Sequence, residues 1–282
     1  MTYETLWHRL TNLYEADEAK AIVRLVLDVR YGLSWADILC GKVTELSAND
    51  QTELEKIAQR LEKGEPVQYV LGVADFCGRP FHVESGVLNP RPETAELCRW
   101  ITSHGDMSPC EVLDIGTGSG CIAITLALDI PETKVTAWDI SDIALRIARQ
   151  NAESLGADVT FEHQDALIPP TDTRRWDVIV SNPPYISSEE RDEMAKNVLD
   201  YEPREALFGP EEDSSLFYKR IGDYAIQTLK PDGHLFFELN PLTADTVSDY
   251  LTHLGFQDIE IRLDQFGKRR MMKAVKPQIE SL

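Results

Sequence analysis

Glu111-Val112-Leu113-Asp114-Ile115-Gly116-Thr117-Gly118-Ser119-Gly120 is the stretch that sets the fold class. A short β-rich run enters a glycine turn, and Cys121-Ile122-Ala123-Ile124-Thr125-Leu126-Ala127 leaves it as an apolar helix. Glycine permits positive φ and lets a ligand approach the backbone closely. The N–H groups at a helix start then favour a carboxylate or another anion. The spacing is G-x-G-x-G with Cys121 next, so the dinucleotide pattern G-x-G-x-x-G fails in its third glycine. A second strand, Lys134 to Trp138, ends in Asp139, whose carboxylate can accept both hydroxyls of a ribose. The alternative for Asp139 is a cap leading the helix Ser141–Asn151.

Downstream, the apolar run Trp176 to Val180 reads as a buried strand, and Asn182-Pro183-Pro184-Tyr185 follows where it ends. The end of a strand is the usual place for a site in an open α/β sheet. An amide or aromatic NH2 is a poor nucleophile because its lone pair is delocalised. Two acceptors, the Asn182 side-chain oxygen and the Pro183 carbonyl, would take both N–H bonds and aim the lone pair outward. The prolines fix φ and remove backbone donors that would compete. Tyr185 supplies an aromatic face for a flat substrate group. A proline-rich turn that merely closes the strand is the alternative.

Strand, glycine turn, helix, strand and acid, then N-P-P-Y after a later strand, resembles the S-adenosylmethionine-dependent methyltransferases acting on exocyclic or amide nitrogen. The flanks narrow the choice. Pro66-Val67-Gln68-Tyr69-Val70-Leu71-Gly72, Phe76-Cys77-Gly78-Arg79-Pro80-Phe81 and Leu88-Asn89-Pro90-Arg91-Pro92-Glu93-Thr94 look like the linker of the peptide chain release factor glutamine N5-methyltransferases. Asp200-Tyr201-Glu202-Pro203-Arg204-Glu205-Ala206-Leu207 is similar to that family's segment after N-P-P-Y. The resemblance runs in order over essentially the whole chain. It implies S-adenosyl-L-methionine as cofactor, S-adenosyl-L-homocysteine as product, and the glutamine of the Gly-Gly-Gln loop of class 1 release factors as substrate. Cofactor contacts would come from Gly116, Thr117, Gly118, Ser119, Gly120, Asp139, Asp165, Ala166 and Asn182, and substrate contacts from Asn182, Pro183, Pro184 and Tyr185. Asn182, Pro183 and Tyr185 would be catalytic, and Asp114 would support the glycine turn or the cofactor's amino group, or simply cap the turn.

The chain departs from the family pattern at Cys77, Asn89, Ala95 and Leu239-Asn240-Pro241. At Asp165-Ala166-Leu167 the family commonly carries a bulky second residue that would pack on adenine; here Ala166 is small, and Leu167 is the available substitute. None of these changes touches N-P-P-Y or the glycine turn.

With 282 residues, 43% of them hydrophobic, the chain can bury a substantial core. No apolar stretch reaches the roughly 20 residues of a membrane span, and the N-terminus lacks a signal-peptide apolar segment. Five cysteines without a C-x2-C pair point to reduced thiols in a cytosolic setting, and six scattered histidines give no readable metal site. A net charge of −20 opposes binding to phosphate backbones. Residues 189–213 hold ten acids and three bases, a balance of −7, which reads as a solvated face or as a docking surface for a basic partner. Lys268-Arg269-Arg270 reads as a hairpin end rather than a nucleic-acid patch.

Residues 1–73 carry helical periodicity, in Leu6, Leu10 and Leu13, then Ala21, Leu25 and Val29, then Leu54, Ile57 and Leu61, with a helix start at Ser47. They are expected to form a helical substrate-docking domain. Residues 74–95 read as a β-hairpin linker, and residues 96–282 as the methyltransferase domain. Strands are expected at 110–115, 134–139, 158–162, 176–181, 234–239, 257–263 and 270–275. Pro231-Asp232-Gly233 is expected to turn into the fifth strand, and Gly267 to close a final antiparallel hairpin. The fold class is therefore α/β, with a seven-stranded Rossmann-like class I methyltransferase domain after a small helical bundle and hairpin. A cytoplasmic, monomeric enzyme is expected, binding neither nucleic acid nor membrane. The rivals are a nucleic-acid adenine or guanine N-methyltransferase and a non-catalytic S-adenosylmethionine sensor.

Overall fold

The computed structural model describes residues 1–104, 110–171, 174–187, 190–194 and 196–278. Residues 189 and 195 of the acidic run, and the last four of the chain, lie outside them. The chain forms two compact units.

The first unit holds α1 (Tyr3–Leu10), α2 (Ala16–Tyr31), α3 (Trp35–Leu39), α4 (Ala48–Leu61) and α5 (Val67–Leu71). A short helix from far along the chain, Lys196–Tyr201, joins it, and the Tyr201 hydroxyl donates to the Lys63 carbonyl at 3.1 Å. Ser47 caps α4, its hydroxyl accepting the Asp50 N–H at 3.2 Å. Leu54, Ile57 and Leu61 are buried as their spacing predicts. In α2 the spacing misleads. The core takes Ala19, Val23, Val26 and Leu27, whereas Leu25 is 38% and Val29 47% exposed, and Leu13 beyond α1 is 51% exposed. Both sides of α2 carry apolar residues three and four apart, so periodicity alone does not say which side meets the bundle.

The second unit opens with the hairpin of β1 (Val73–Phe76) and β2 (Arg79–His82). Cys77 and Gly78 turn it with φ of 52° and 75°, the two positive values that a tight two-residue turn requires. Helix α6 (Pro92–Thr102) then starts at Pro92, inside the span read as linker, because proline at the first helical position has its φ preset and no N–H to leave unpaired. The main sheet contains β3 (Glu111–Ile115), β4 (Lys134–Asp139), β5 (Val159–His163), β6 (Trp176–Ser181), β7 (Leu229–Glu238), β8 (Gln257–Leu263) and β9 (Arg269–Val275), in the order β5-β4-β3-β6-β7-β9-β8. Pairing is parallel from β5 to β7, and β9 runs antiparallel between β7 and β8 around the Gly267 turn. Strand β7 begins earlier than expected. Leu229 already pairs with Trp176, and Pro231-Asp232-Gly233 forms a bulge inside the strand, with Asp232 at φ 62° and its N–H donated to the Lys276 carbonyl.

Both faces of the central strands are buried, as parallel strands in the middle of a sheet require. Val112, Val178, Val180 and Phe236 meet α6 and α7 (Cys121–Asp129) on one face. Leu113, Ile115, Ile179 and Phe237 meet the helices Leu216–Thr228 and Ala244–Leu254 on the other. Among the described residues, no helix is long and apolar enough to cross a membrane.

Gly120, where the glycine turn becomes α7, has φ 82°, and a Cβ there would meet Ile124 Cδ1 at 2.8 Å and Ala148 Cβ at 3.1 Å. Ala148 belongs to α8 (Asp142–Leu155), so the missing side chain is what allows α7 and α8 to pack. Gly120→Ala should lower unfolding free energy by about 1–3 kcal/mol, measured by urea denaturation; an unchanged midpoint would contradict this account.

Candidate active site

The strand order places β3 between β4 and β6, and the chain leaves β3 toward one side and returns to the other. A crevice opens beyond the strand ends at such a switch point. Ile115 pairs with Ser181, and the Ser181 hydroxyl donates to the Ile115 carbonyl at 2.7 Å, so the glycine turn and N-P-P-Y start side by side. A cavity of about 280 Å³ lies there.

Gly116, Gly118, Asp139, Asp165, Ala166 and Leu167 line one part of it, and Asn182, Pro183 and Pro184 another. A Cβ on Gly116 or Gly118 would meet nothing within 4 Å, so the turn presents bare backbone to the cavity. The N–H groups of Gly116 and Thr117 both donate to the Trp138 carbonyl at 2.9 Å, that of Gly118 to Asp139 Oδ2 at 2.8 Å, and that of Gly120 to the Thr117 carbonyl. These four N–H groups of the turn are therefore already engaged, and its glycines serve backbone shape and close approach. Asp139 Oδ1 accepts the Ser141 N–H at 2.9 Å, while Ser141 itself caps α8. Each Asp139 oxygen keeps a further lone pair for a ligand hydroxyl. Burial raises the Asp139 pKa, and the N–H groups of Ser141 and Gly118 oppose the rise.

Thr117, Ser119 and Gly120 do not line the cavity. Thr117 is buried and donates its hydroxyl to Asp114 Oδ2 at 2.6 Å, and the Ser119 carbonyl accepts the Asn151 side chain at 2.9 Å. Tyr185 does not line it either. Its ring packs against the core under the helix Leu216–Thr228, and its hydroxyl donates to Glu238 Oε1 at 3.1 Å and accepts from Arg270 at 3.4 Å. Burial and the Glu238 charge hold the phenol well above its ordinary pKa, so it stays a donor. Two residues without a site role in the sequence reading complete the arrangement. Asn182 Nδ2 donates to Thr94 Oγ1 at 3.3 Å, and the Thr94 hydroxyl donates to Glu238 Oε2 at 2.6 Å. Burial raises the Glu238 pKa, opposed by Thr94, Arg270 and Tyr185.

A model of the methyltransferase small domain matches residues 99–207, and one of the PrmC N-terminal domain matches residues 6–72. The release factor glutamine methyltransferase of Bacteroides thetaiotaomicron is 46% identical over 94% of this chain and 95% of its own length. That of Flavobacterium psychrophilum is 36% identical over 94% of each. The chain belongs to the release factor glutamine methyltransferase family. Two solved structures share the fold: a methyltransferase from Pyrococcus furiosus (TM-score 0.53, 17% identical, 82% of this chain and 100% of that one) and a T. thermophilus 16S rRNA methyltransferase in complex with AdoMet and guanosine (0.52, 18%, 72% and 49%). As a methyltransferase of this family, the protein uses S-adenosylmethionine. The bare glycine backbone and the acid at the end of β4 fit that cofactor, whose ribose offers two hydroxyls.

In this family member Asp114 stands behind the glycine turn rather than in the cavity. Its Oδ2 accepts the Thr117 hydroxyl and the Ala123 N–H at 3.2 Å, joining β3, the turn and α7. Burial pushes the carboxyl up to about 7 from an ordinary 3.8, against those two hydrogen bonds. A carboxyl with a raised folded-state pKa stabilises fully below its unfolded pKa and loses that contribution as pH climbs through the folded value. Asp114→Asn should therefore match wild type near pH 4 and become the more stable of the two above pH 7. Thermal melts across that range check this; parallel curves would refute it.

Proposed function

We propose that the protein transfers a methyl group to the side-chain amide nitrogen (N5) of the glutamine in the Gly-Gly-Gln motif of class 1 peptide chain release factors, tuning translation termination. The observation that carries this reading is the Asn182 amide at the cavity wall: its Nδ2 is engaged by Thr94, which leaves Oδ1 to accept an N–H of the substrate. The Pro183 carbonyl takes the second N–H, and the lone pair of the planar nitrogen then points away from both acceptors. When bound, S-adenosylmethionine supplies a sulfonium-activated methyl: the amide nitrogen forms the N–C bond as the C–S bond breaks, the electron pair stays on sulfur in S-adenosylhomocysteine, and the surplus N–H proton leaves to water. The residues' task is orientation, which contributes on the order of 7–11 kcal/mol. No strong base is needed beforehand, because the alkylated nitrogen is very acidic. Gly116, Gly118 and Asp139 hold the cofactor, with Asp165, Ala166 and Leu167 beside them.

The helical unit, in this reading, docks the release factor. Its exposed Leu25 borders a groove with Lys20, Arg24 and Trp35, and contacts remote from the reacting atoms supply binding energy that places the Gln loop. Five free thiols support a reducing cytoplasm. Two of the three basic side chains at the final hairpin are paired locally, Arg269 with Asp245 and Arg270 with Asp264. That pairing favours a protein substrate over nucleic acid.

Labelled methyl should appear on a release-factor glutamine and vanish when that glutamine becomes alanine, with DNA and RNA assayed in parallel; label on nucleic acid alone would overturn the reading. In the same assay Leu25→Glu should raise KM for the release factor at unchanged kcat, and an unaltered KM would remove the docking role. Asp139→Ala should weaken S-adenosylmethionine binding by about 1.5–3 kcal/mol, whereas Asn182→Ala should chiefly lower turnover. Equal cofactor affinity of Asp139→Ala and wild type in calorimetry would refute the ribose contact.

A further inference from the structure

We infer that Thr94, held by the buried carboxylate of Glu238, decides which end of the Asn182 amide faces the cavity; the inference rests on the amide-nitrogen reading above. A side-chain amide has two orientations of opposite polarity, one offering an acceptor and the other two donors. Only the first can take an N–H from the substrate. A flipped Asn182 would meet the substrate NH2 donor to donor.

The direction of each hydrogen bond follows from the number of protons available. Thr94 has one hydroxyl proton, and Glu238 Oε2 takes it at 2.6 Å. Toward Asn182, 3.3 Å away, the same oxygen can only accept, so it selects Nδ2 and turns Oδ1 to the cavity. Flipping Asn182 would set two acceptors against each other. The carboxylate is itself fixed. Tyr185 donates to its other oxygen at 3.1 Å, and Arg270 bonds both the Tyr185 hydroxyl and, at 3.1 Å, the neighbouring Leu239 carbonyl. Thr94 and Glu238 are 3% and 1% exposed and do not line the cavity, so both are positioning residues. The same chain of bonds gives the tyrosine of N-P-P-Y a task other than stacking on substrate: it completes the donor set around Glu238.

The test uses the full-length protein with Thr94→Val, Thr94→Ser, Asn182→Ala and the double variant Thr94→Val with Asn182→Ala. The Asn182 side-chain NH2 is read by nitrogen–proton NMR and assigned by its loss in Asn182→Ala. In Thr94→Val its exchange with solvent should accelerate at least about tenfold, and kcat should fall on the order of 10²-fold, with S-adenosylmethionine affinity unchanged. Thr94→Ser should restore both. The double variant should be no slower than Asn182→Ala alone, which a merely structural role for Thr94 would not produce. An unchanged Asn182 signal in Thr94→Val, or additive losses in the double variant, would overturn the inference. If wild type leaves release factors unmethylated while Thr94→Val still alters the Asn182 signal, the substrate reading falls and the positioning role stands. Thr94→Ala, which adds no methyl group to the packed site, replaces Thr94→Val if that variant does not fold.

Discussion

Strand β3 is hydrogen-bonded on both edges and covered on both faces, and its end is where the cavity holding the glycine turn and Asn182 begins. A chain leaving such a strand cannot continue in the sheet and has no free edge to follow. It must turn at once, in space bounded by the ends of β4 and β6. Asp114 makes that turn one structure with the helix after it, because a single carboxylate oxygen accepts from Thr117 in the turn and Ala123 in α7. The Trp138 carbonyl and Asp139 bind the turn to β4 from the other side. Together these contacts fix the backbone that lines the cavity.

The opposite wall is built differently. Asn182 and the prolines follow β6, and their surroundings are set by polar groups buried at the end of β7. A buried carboxylate requires partners, and Glu238 finds them in Thr94 and Tyr185, with Arg270 nearby. Arg91 and the buried Glu202 make a further, half-buried connection: the guanidinium bonds both carboxylate oxygens at 2.8 Å, joining the loop before α6 to the segment that carries Pro203, Glu205 and Ala206 into the cavity wall. One wall is thus shaped mainly by backbone and the other mainly by side-chain hydrogen bonds.

The acidic run after N-P-P-Y has local work as well as charge. Glu190 accepts from Ser187 and Asn240, Glu202 holds Arg91, and Asp213 pairs with Lys219. Several of the acids that look like a solvated face or a docking surface in sequence are therefore anchors for the loop that carries them.

Much of this protein is legible without coordinates, and the legible part is local. Alternation, glycine spacing and proline placement act over a few residues, so strands, the glycine turn, Asp139 at the end of β4 and Asn182-Pro183-Pro184 beyond β6 all stand where the sequence puts them. The side of α2 that meets the bundle, the early start of β7 at Leu229 and the inward turn of Tyr185 are decided by tertiary packing. So is the use of Thr94, which lies 88 residues before Asn182 and 144 before Glu238. No spacing rule connects such positions. They meet because strand order brings the ends of β6 and β7 together beside α6, and a buried oxygen must then find whichever donor the packing supplies.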